Sequence, residues 1–248
     1  MEEIEAAIFA FDSDGRLLQR RLLRDTTSIW NVKRELLIRA LCDRATALGV
    51  RVHTDSPVDT VEASGTIRVR GEIHQAELVI AADGVSSLVR RMLRLDKPVR
   101  PPSSGAIRLL VSRTAPEKDD VVREFWSGRL RVGVCPCTPT EAFCYFIAPL
   151  DDQHGTQTPI DVDYWSARFP KLASEGLFSR AHAAGGVHHP YPFVRAASWV
   201  KGRVALVGDA AHALPPTLGQ GAGLSLMNGL LLSDYVSASS DVPEALAA

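Results

Sequence analysis

Several features are scarce or missing in this sequence, and each absence excludes a class of protein. No apolar run approaches the roughly 18 residues needed to cross a membrane, so we expect no membrane span. The 28 basic and 29 acidic residues are mixed along the chain, and the net charge of −1 predicts no nucleic-acid-binding surface. The first residues, Met1-Glu2-Glu3, do not have the layout of a signal peptide.

Cysteine is also scarce. The chain has four cysteines, and Cys135 and Cys137 have neither zinc-ligand spacing nor a second pair. No spacing typical of another metal site or of a catalytic triad is present either. Cysteines this sparse favour free thiols in a reducing compartment, so we predict a cytoplasmic protein with no metal and no nucleophilic side chain.

The apolar pattern of the first third predicts alternating strands and helices. Asp12-Ser13-Asp14-Gly15 lies between two short apolar runs, as in a β-hairpin. Helical spacing then extends from Asn31, a candidate N-cap, to Gly49, a candidate C-terminal stop. We expect a strand at 50–52, a meander of strands over 58–75, and a parallel strand covered on both faces at 78–82.

The rest of the chain predicts a second sheet. The proline-rich residues 98–105 mark a candidate domain boundary. Strands predicted at 107–111, 121–126, 130–134 and 142–147 suggest an antiparallel sheet, and residues 151–192 look looser, with one short helix near 164–169. A buried strand at 203–207 then leads through a glycine-rich loop into a helix over 221–235. This order predicts an α/β domain whose chain leaves to build a second sheet and then returns.

The strongest motif follows that last strand: residues 202–223 have the sequence GRVALVGDAAHALPPTLGQGAG. A buried strand delivers Asp209 to its carboxyl end, where open α/β sheets bind ligands and a carboxylate can accept hydrogen bonds from sugar-like hydroxyls. Glycines let the backbone approach a flat ligand, and the amides of a helix start favour a group that becomes negative. From the residues alone, a plain strand–loop–helix connection explains the stretch equally well.

This stretch resembles the second FAD-binding signature, the GD motif, of the p-hydroxybenzoate hydroxylase-like monooxygenases. The resemblance implies that Asp209 binds the ribityl chain of FAD and that Pro215 and Pro216 lie beside the flavin and the substrate. It implies that His212 holds the loop in place, and that Asn228, where aspartate is commonest in the family, does not decide activity. The residues expected to face the pyrimidine edge of the flavin are Gly219, Gln220, Gly221, Ala222 and Gly223.

A second stretch, ADGVSSLVR at residues 82–90, resembles the DG motif of the same family. The resemblance implies that Asp83 lies in a network near the FAD pyrophosphate and the nicotinamide-cofactor groove, supported by Ser87 and Arg90. Alone, a strand–turn–helix connection with Ser87 near the N-cap is the better explanation, but the two motifs in this order are far more specific. Arg34 resembles the family's helix arginine that reaches the FAD phosphates, although Lys33 or a solvated arginine fits as well.

The resemblance covers residues 4–236 and implies two domains. A partial FAD/NAD(P)-binding Rossmann-like domain comprises 29–97 and 193–248, and an inserted antiparallel β-sheet domain that covers the substrate comprises 1–28 and 98–192. The family's opening strand and Gly-x-Gly-x-x-Gly turn, which bind the ADP part of FAD, have no counterpart here, so the first βαβ unit is lacking. A truncation, a split protein completed by another chain and a loss of flavin binding all explain this.

The resemblance implies an FAD-dependent monooxygenase that uses NAD(P)H and O2 to hydroxylate a small aromatic or apolar substrate, inactive as this shortened chain. Among enzymes, a flavin dehydrogenase, reductase or halogenase is the alternative, and a non-catalytic remnant or half of a split protein is the other. We expect an exposed apolar sheet edge, poor solubility, and a homo-oligomer or a chain that supplies the missing strand. The substrate residues expected from the sheet are Phe125, Trp126, Phe143, Tyr145 and Phe146.

Overall fold

A computed structural model describes residues 7–22, 31–117, 119, 121–216, 219–239 and 241–247. The strands are β1 (Ala7–Asp12), β2 (Leu17–Leu22), β3 (Val58–Val61), β4 (Thr66–Val69), β5 (Glu72–Gln75), β6 (Val79–Ala81), β7 (Ser104–Ser112), β8 (Val121–Ser127), β9 (Leu130–Pro136), β10 (Glu141–Pro149), β11 (Val187–Pro190), β12 (Val200–Lys201) and β13 (Val204–Leu206). The helices are α1 (Arg34–Ala47), α2 (Leu88–Met92), α3 (Gln153–Thr156), α4 (Val162–Arg168), α5 (Pro170–Ser174), α6 (Leu177–Ala184), α7 (Asp209–His212), α8 (Gly221–Ala238) and α9 (Val242–Ala247). None of these helices is long and apolar enough to cross a membrane.

The chain divides into two compact units. Unit 1 is Met1–Arg51 with Ser103–Pro190, and unit 2 is Val52–Pro102 with Tyr191–Ala248. The segment Ser103–Pro190 is close to the insert predicted at 98–192. Residues 31–51, which the sequence assigned to the FAD-binding domain, belong to unit 1 in this division.

Unit 1 is built on a seven-stranded sheet with the order β11-β7-β10-β9-β8-β1-β2. Its neighbours pair antiparallel except β1 and β8, which are parallel. The predicted hairpin is confirmed: the Asp12 carboxylate accepts hydrogen bonds from the amides of Asp14 and Arg16 at 3.0 and 2.8 Å, and Gly15 has a positive φ.

The helices α3 to α6 contribute to the core of unit 1. The expectation of a loose region with a single short helix at 151–192 is wrong, because four helices form there. Trp165, Phe169, Leu177 and Phe178 of this region are at most 1% exposed and pack with the inward residues of the sheet. Gly176, at φ 68°, separates α5 from α6 and keeps each of these helices short.

Unit 2 contains two three-stranded sheets, β12-β13-β6 and β3-β4-β5. The strands predicted at 78–82 and 203–207 are confirmed as β6 and β13, which pair in parallel, and of the two only β13 is buried throughout. β6 is the edge strand of its sheet among the described residues, and its Ile80 is 53% exposed, so the expected cover on both faces is not present in this part of the chain. The strand predicted at 50–52 does not form, and those residues are exposed coil.

Candidate flavin site

The parallel pairing of β6 and β13 brings the two predicted motifs to one edge of the sheet. Ala81 pairs with Leu206, and the amide of Val207 donates to the carbonyl of Ala81 at 3.0 Å. Both strands end together, so Asp83 and Asp209 follow neighbouring carboxyl ends. That edge is where open α/β sheets bind ligands.

The DG motif is organised around the first turn of α2. Asp83 Oδ2 accepts hydrogen bonds from the amides of Leu88 and Val89 at 2.7 and 3.2 Å. Ser87, which is fully buried, is the N-cap and accepts from the amide of Arg90 at 2.9 Å. Two side chains thus satisfy three amides of a five-residue helix, which holds the turn after β6 rigid.

Arg90 connects the two motifs by side-chain hydrogen bonds. Its guanidinium donates to Asp96 Oδ1 at 2.6 Å and to the carbonyls of Val85 and Ala210 at 2.7 Å each, and the residue is 5% exposed. Ala210 directly follows Asp209, so Arg90 fixes the turn that carries that carboxylate. These contacts give Arg90 a supporting position, and direct contact between Arg90 and a cofactor stays a prediction.

Asp209 opens the short helix α7 after Gly208, which has φ 56° and ψ −138°, a conformation that favours glycine. The preceding strand is at most 3% exposed, whereas Asp209 is exposed. The buried strand and the glycine turn therefore present an accessible carboxylate at the carboxyl edge of the sheet, and its contact with a cofactor stays a prediction.

The glycines at the start of α8 are not required by packing against any of the described residues. Gly221 and Gly223 are exposed and helical, and a Cβ on either would meet nothing within 4 Å. Glycine in a helix interior costs about 1 kcal/mol relative to alanine. Neither backbone angle nor internal packing requires these glycines, and they leave the open surface that a flat ligand such as a flavin ring needs.

The remaining predicted loop residues lie at the start of α8, next to Gly221 and Gly223 in the chain. Gly219 has φ 64°, and Gln220 is the N-cap of α8 without a side-chain capping bond. Pro216, Gln220 and Ala222 are exposed, and α8 has no acidic residue in its first turn. The amides of that turn are thus free of a competing side-chain carboxylate, which suits binding of a negative group. Thr217 and Leu218 lie outside the described residues.

Arg34, the other predicted phosphate contact, does not belong to the same unit as the two motifs, which are both in unit 2. It is the exposed first residue of α1, in unit 1. Lys33, its alternative, is engaged by Glu141 at 2.7 Å, and this hydrogen bond raises the pKa of Lys33. Arg34 therefore remains the better candidate of the two, and its role stays a prediction.

Asn228, which was expected not to decide activity, contacts Gly208 and His212 of the GD motif. Its Oδ1 accepts from the amide of Gly208 at 3.3 Å and contacts His212 Nε2. The ring of Trp199 lies 5.1 Å from that of His212. The signal that could have identified Asn228 is its place in the helix: a polar residue between apolar neighbours, two turns after the glycine loop.

The substrate candidates fall on opposite faces of the unit 1 sheet. Phe125 and Phe146 belong to the buried core together with the helices, at 4% and 0% exposure. Since side chains alternate along a strand, Trp126, Phe143 and Tyr145 lie on the other face, which we call the open face. The aromatic rings of Phe125 and Phe146 are therefore core, and the other three remain candidates.

A carboxylate that the sequence reasoning missed organises the open face. Glu124 accepts hydrogen bonds from Tyr145 Oη at 3.0 Å and from Trp126 Nε1 at 2.6 Å. Tyr145 lies flat over Gly133, where a Cβ would come within 2.0 Å of the tyrosine Cζ. Burial, and then the Glu124 charge, raise the pKa of the neighbouring Cys135 thiol to about 12, so this thiol is neutral at pH 7.

Comparison with known proteins agrees with this geometry. Residues 8–238 match the family model described as FAD binding domain. The chain is 36% identical to a 2-heptyl-3-hydroxy-4(1H)-quinolone synthase of Mycobacteroides abscessus, covering 97% of this chain and 66% of the relative. It is 35% identical to a probable enzyme of the same name from Rhodococcus erythropolis, covering 86% of this chain and 57% of the relative.

The fold has a solved counterpart. The structure of the tetrameric form of 2-methyl-3-hydroxypyridine-5-carboxylic acid oxygenase is 30% identical, with a TM-score of 0.85, and the match covers 97% of this chain and 66% of that one. The α/β fold predicted from the sequence, with its Rossmann-like part and its second sheet, is confirmed. With the family model matching most of its length, this chain belongs to the FAD-dependent, aromatic hydroxylase-like monooxygenases.

Proposed function

We propose that this chain supplies the flavin-ring site and the substrate-covering sheet of an NAD(P)H-dependent monooxygenase that hydroxylates a small aromatic compound. The observation that carries the proposal is the open surface at Gly221 and Gly223, on the same strand–turn–helix unit as the exposed Asp209. FAD, when bound, supplies the redox chemistry: it takes electrons from NAD(P)H and activates O2 for transfer of one oxygen atom.

The residues of the chain have binding and positioning roles in this proposal. Asp209 accepts hydrogen bonds from the ribityl hydroxyls, and the first-turn amides of α8 stabilise negative charge on the pyrimidine edge of the flavin. Pro216 and Gln220 border the ring. Asp83 and Arg90 hold the two turns in register through α2 and the carbonyl of Ala210.

The substrate proposed is a planar aromatic ring that carries an N–H or O–H group. The names of the relatives describe a quinolone and a hydroxypyridine, both nitrogen heterocycles. Glu124 supports this class because its carboxylate is held by Tyr145 and Trp126 and retains lone pairs for a further donor. Tyr145 and Phe143, with ring centroids 6.2 Å apart, provide an aromatic surface for such a ring.

The ADP half of FAD is proposed to be bound by polypeptide outside this chain. The sequence contains no Gly-x-Gly-x-x-Gly turn after a strand, the chain spans 57% and 66% of the two curated relatives, and β6 has an open edge among the described residues. We propose that a strand preceding such a turn pairs with β6, in the same protein or in a partner chain. A reducing cytoplasm is the compartment proposed, in keeping with four free cysteines.

A flavin-binding assay with matched glycine variants tests the proposal. Gly223 and Gly229 are both in α8, and a Cβ on either meets nothing within 4 Å. In the complete protein we expect FAD to bind in a visible-absorption titration, and Gly223→Val to weaken binding by roughly tenfold or more because the side chain occupies the ring's place. Gly229→Val is the control and should bind like the wild type. Equal binding by both variants of the complete protein would refute the site.

Isotope labelling separates hydroxylation from the other flavin chemistries. With the complete protein, NADPH, a nitrogen-heteroaromatic substrate and 18O2, we expect one labelled oxygen atom in the product. Substrate-stimulated NADPH oxidation without incorporated label would favour the dehydrogenase or reductase alternative. A halide-dependent product would favour the halogenase.

A further inference from the structure

Helix α8 is connected to the rest of unit 2 by few side chains. None of its residues is buried, although it begins at the glycine loop. Asn228 is one of the three half-buried residues from Ser225 to Leu232. Its side chain contacts the amide of Gly208 and the ring of His212, both in the GD motif. These contacts join the helix that carries Gly221 to the turn that carries Asp209.

The orientation of the Asn228 amide follows from its partners. The backbone N–H of Gly208 can only donate, so the atom that faces it, at 3.3 Å, is the side-chain oxygen. His212 Nε2 faces the same oxygen and must therefore carry a proton. In the neutral imidazole this leaves Nδ1 unprotonated, so one amide oxygen selects the tautomer of His212.

We propose that Asn228 is a positioning residue of the flavin site. By accepting from Gly208 and His212 together, it sets the distance between the Asp209 turn and the amides of α8, and it fixes His212 as the Nε2–H tautomer. An uncharged amide achieves this without placing a second carboxylate beside Asp209. This inference rests on the proposed flavin site only for its consequence on FAD binding.

Three variants test the role of Asn228 in FAD binding. Asn228→Ala removes the acceptor, Asn228→Asp retains an acceptor oxygen for both donors, and Ser233→Ala changes an exposed position of the same helix. We expect Asn228→Ala to weaken FAD binding about 2- to 10-fold, the worth of a lost hydrogen bond. Asn228→Asp should bind more tightly than Asn228→Ala, and Ser233→Ala should equal the wild type. Wild-type affinity in Asn228→Ala would overturn the proposal.

A second measurement needs no cofactor. Nitrogen-15 NMR of the histidine rings reports which ring nitrogen carries the proton, and His212→Gln identifies the His212 signals. We expect a single Nε2–H tautomer in the wild-type chain and averaged tautomers in Asn228→Ala, with circular dichroism showing that both are folded. An Nδ1–H tautomer, or no change in Asn228→Ala, would overturn the assignment. If no variant binds FAD, the proposed function fails while this measurement still decides the role of Asn228.

Discussion

The two units of the chain use similar apolar strands but bury them to very different extents. In unit 1, Ile107 on β7 is fully buried, and the sheet shares one core with the helices α4 to α6. In unit 2, Ile80 on the parallel strand β6 is 53% exposed, and α8 has no buried residue and carries six exposed large apolar side chains. A parallel sheet normally has both faces covered.

The two units differ in how fully their apolar residues are enclosed. Unit 1 has an apolar core of buried residues from the four strands β7 to β10 and the three helices α4 to α6. Unit 2 has a smaller core around Val61, Val89 and Leu206, with apolar surface left over on β6 and α8. Unit 2 therefore carries both sequence motifs, but among the described residues it leaves part of its apolar surface uncovered.

The largest effect is expected in the core of unit 1. Ile107→Ala removes three carbon atoms from a fully buried position and should lower the free energy of unfolding by about 2–5 kcal/mol. Urea denaturation followed by the fluorescence of Trp165, which is in the same core, measures this. A loss below about 1 kcal/mol would show that the unit 1 core is looser than its burial indicates.

The next largest effect is expected for Arg90, the main polar connection within unit 2. Arg90→Met should cost about 2–4 kcal/mol, because the carbonyls of Val85 and Ala210 lose their donor. Hydrogen exchange should increase around α2 and α7 while the amides of unit 1 keep their protection. Uniform loss of protection in both units would contradict the independence of the two cores.

A smaller effect is expected from the ion pair of Glu117 with Arg180 in unit 1, whose atoms approach to 2.7 Å. Burial opposes the charge of Glu117, but hydrogen bonds from Arg180 and the Thr114 amide outweigh it, so its pKa lies below the usual 4.5. A lowered pKa in the folded state stabilises the fold above pH 4.5, and this contribution is lost as pH falls through the folded-state pKa.

We therefore expect the urea midpoint of unit 1 to fall as the pH is lowered below 4.5. Arg180→Gln should cost about 1.5–3 kcal/mol at pH 7 and flatten this dependence. The transition of unit 2 should not respond to the substitution. An unchanged pH profile in the variant would assign the acid sensitivity to other carboxylates.

The smallest effect on stability is expected at the open edge of unit 2. Ile80→Ala should cost less than about 1 kcal/mol, because half of the side chain is already in water. Ile80→Lys should reduce self-association in analytical ultracentrifugation, since a charge on an edge strand opposes pairing with another chain. If Ile80→Lys leaves self-association unchanged, the surface that self-associates is the exposed apolar face of α8 instead.

Much of this architecture was predictable from local patterns. Asp12 to Gly15 defined the hairpin, the alternating residues of 104–149 defined the strands, and the continuous apolar runs defined β6 and β13. The helix predicted near 164–169 corresponds to α4, but the other three helices of 151–192 were missed because each is short and has no long periodic pattern; α6, for example, is stabilised by burial of Phe178 against the sheet. The strand at 50–52 was predicted from composition, but among the described residues it has no neighbour with which to pair.

The site was predictable where it is continuous in sequence. The motifs located Asp83, Asp209 and the glycine loop, but the tertiary contacts of Arg90 with Ala210 and of Asn228 with Gly208 join residues far apart in the chain. Glu124 was missed for the same reason, because its partner Tyr145 is on a different strand. Such pairings depend on sheet register, which the sequence alone does not specify.

The interleaved course of the chain also has a consequence for synthesis. The strands β6 and β13 pair directly, yet the whole of Ser104–Pro190 lies between them in sequence. The strands β8, β9 and β10 form hairpins of much shorter range and can fold as they leave the ribosome. The sheet edge between Asp83 and Asp209 is thus completed only after the second sheet has been translated, so the proposed flavin site assembles later than the hairpins of unit 1.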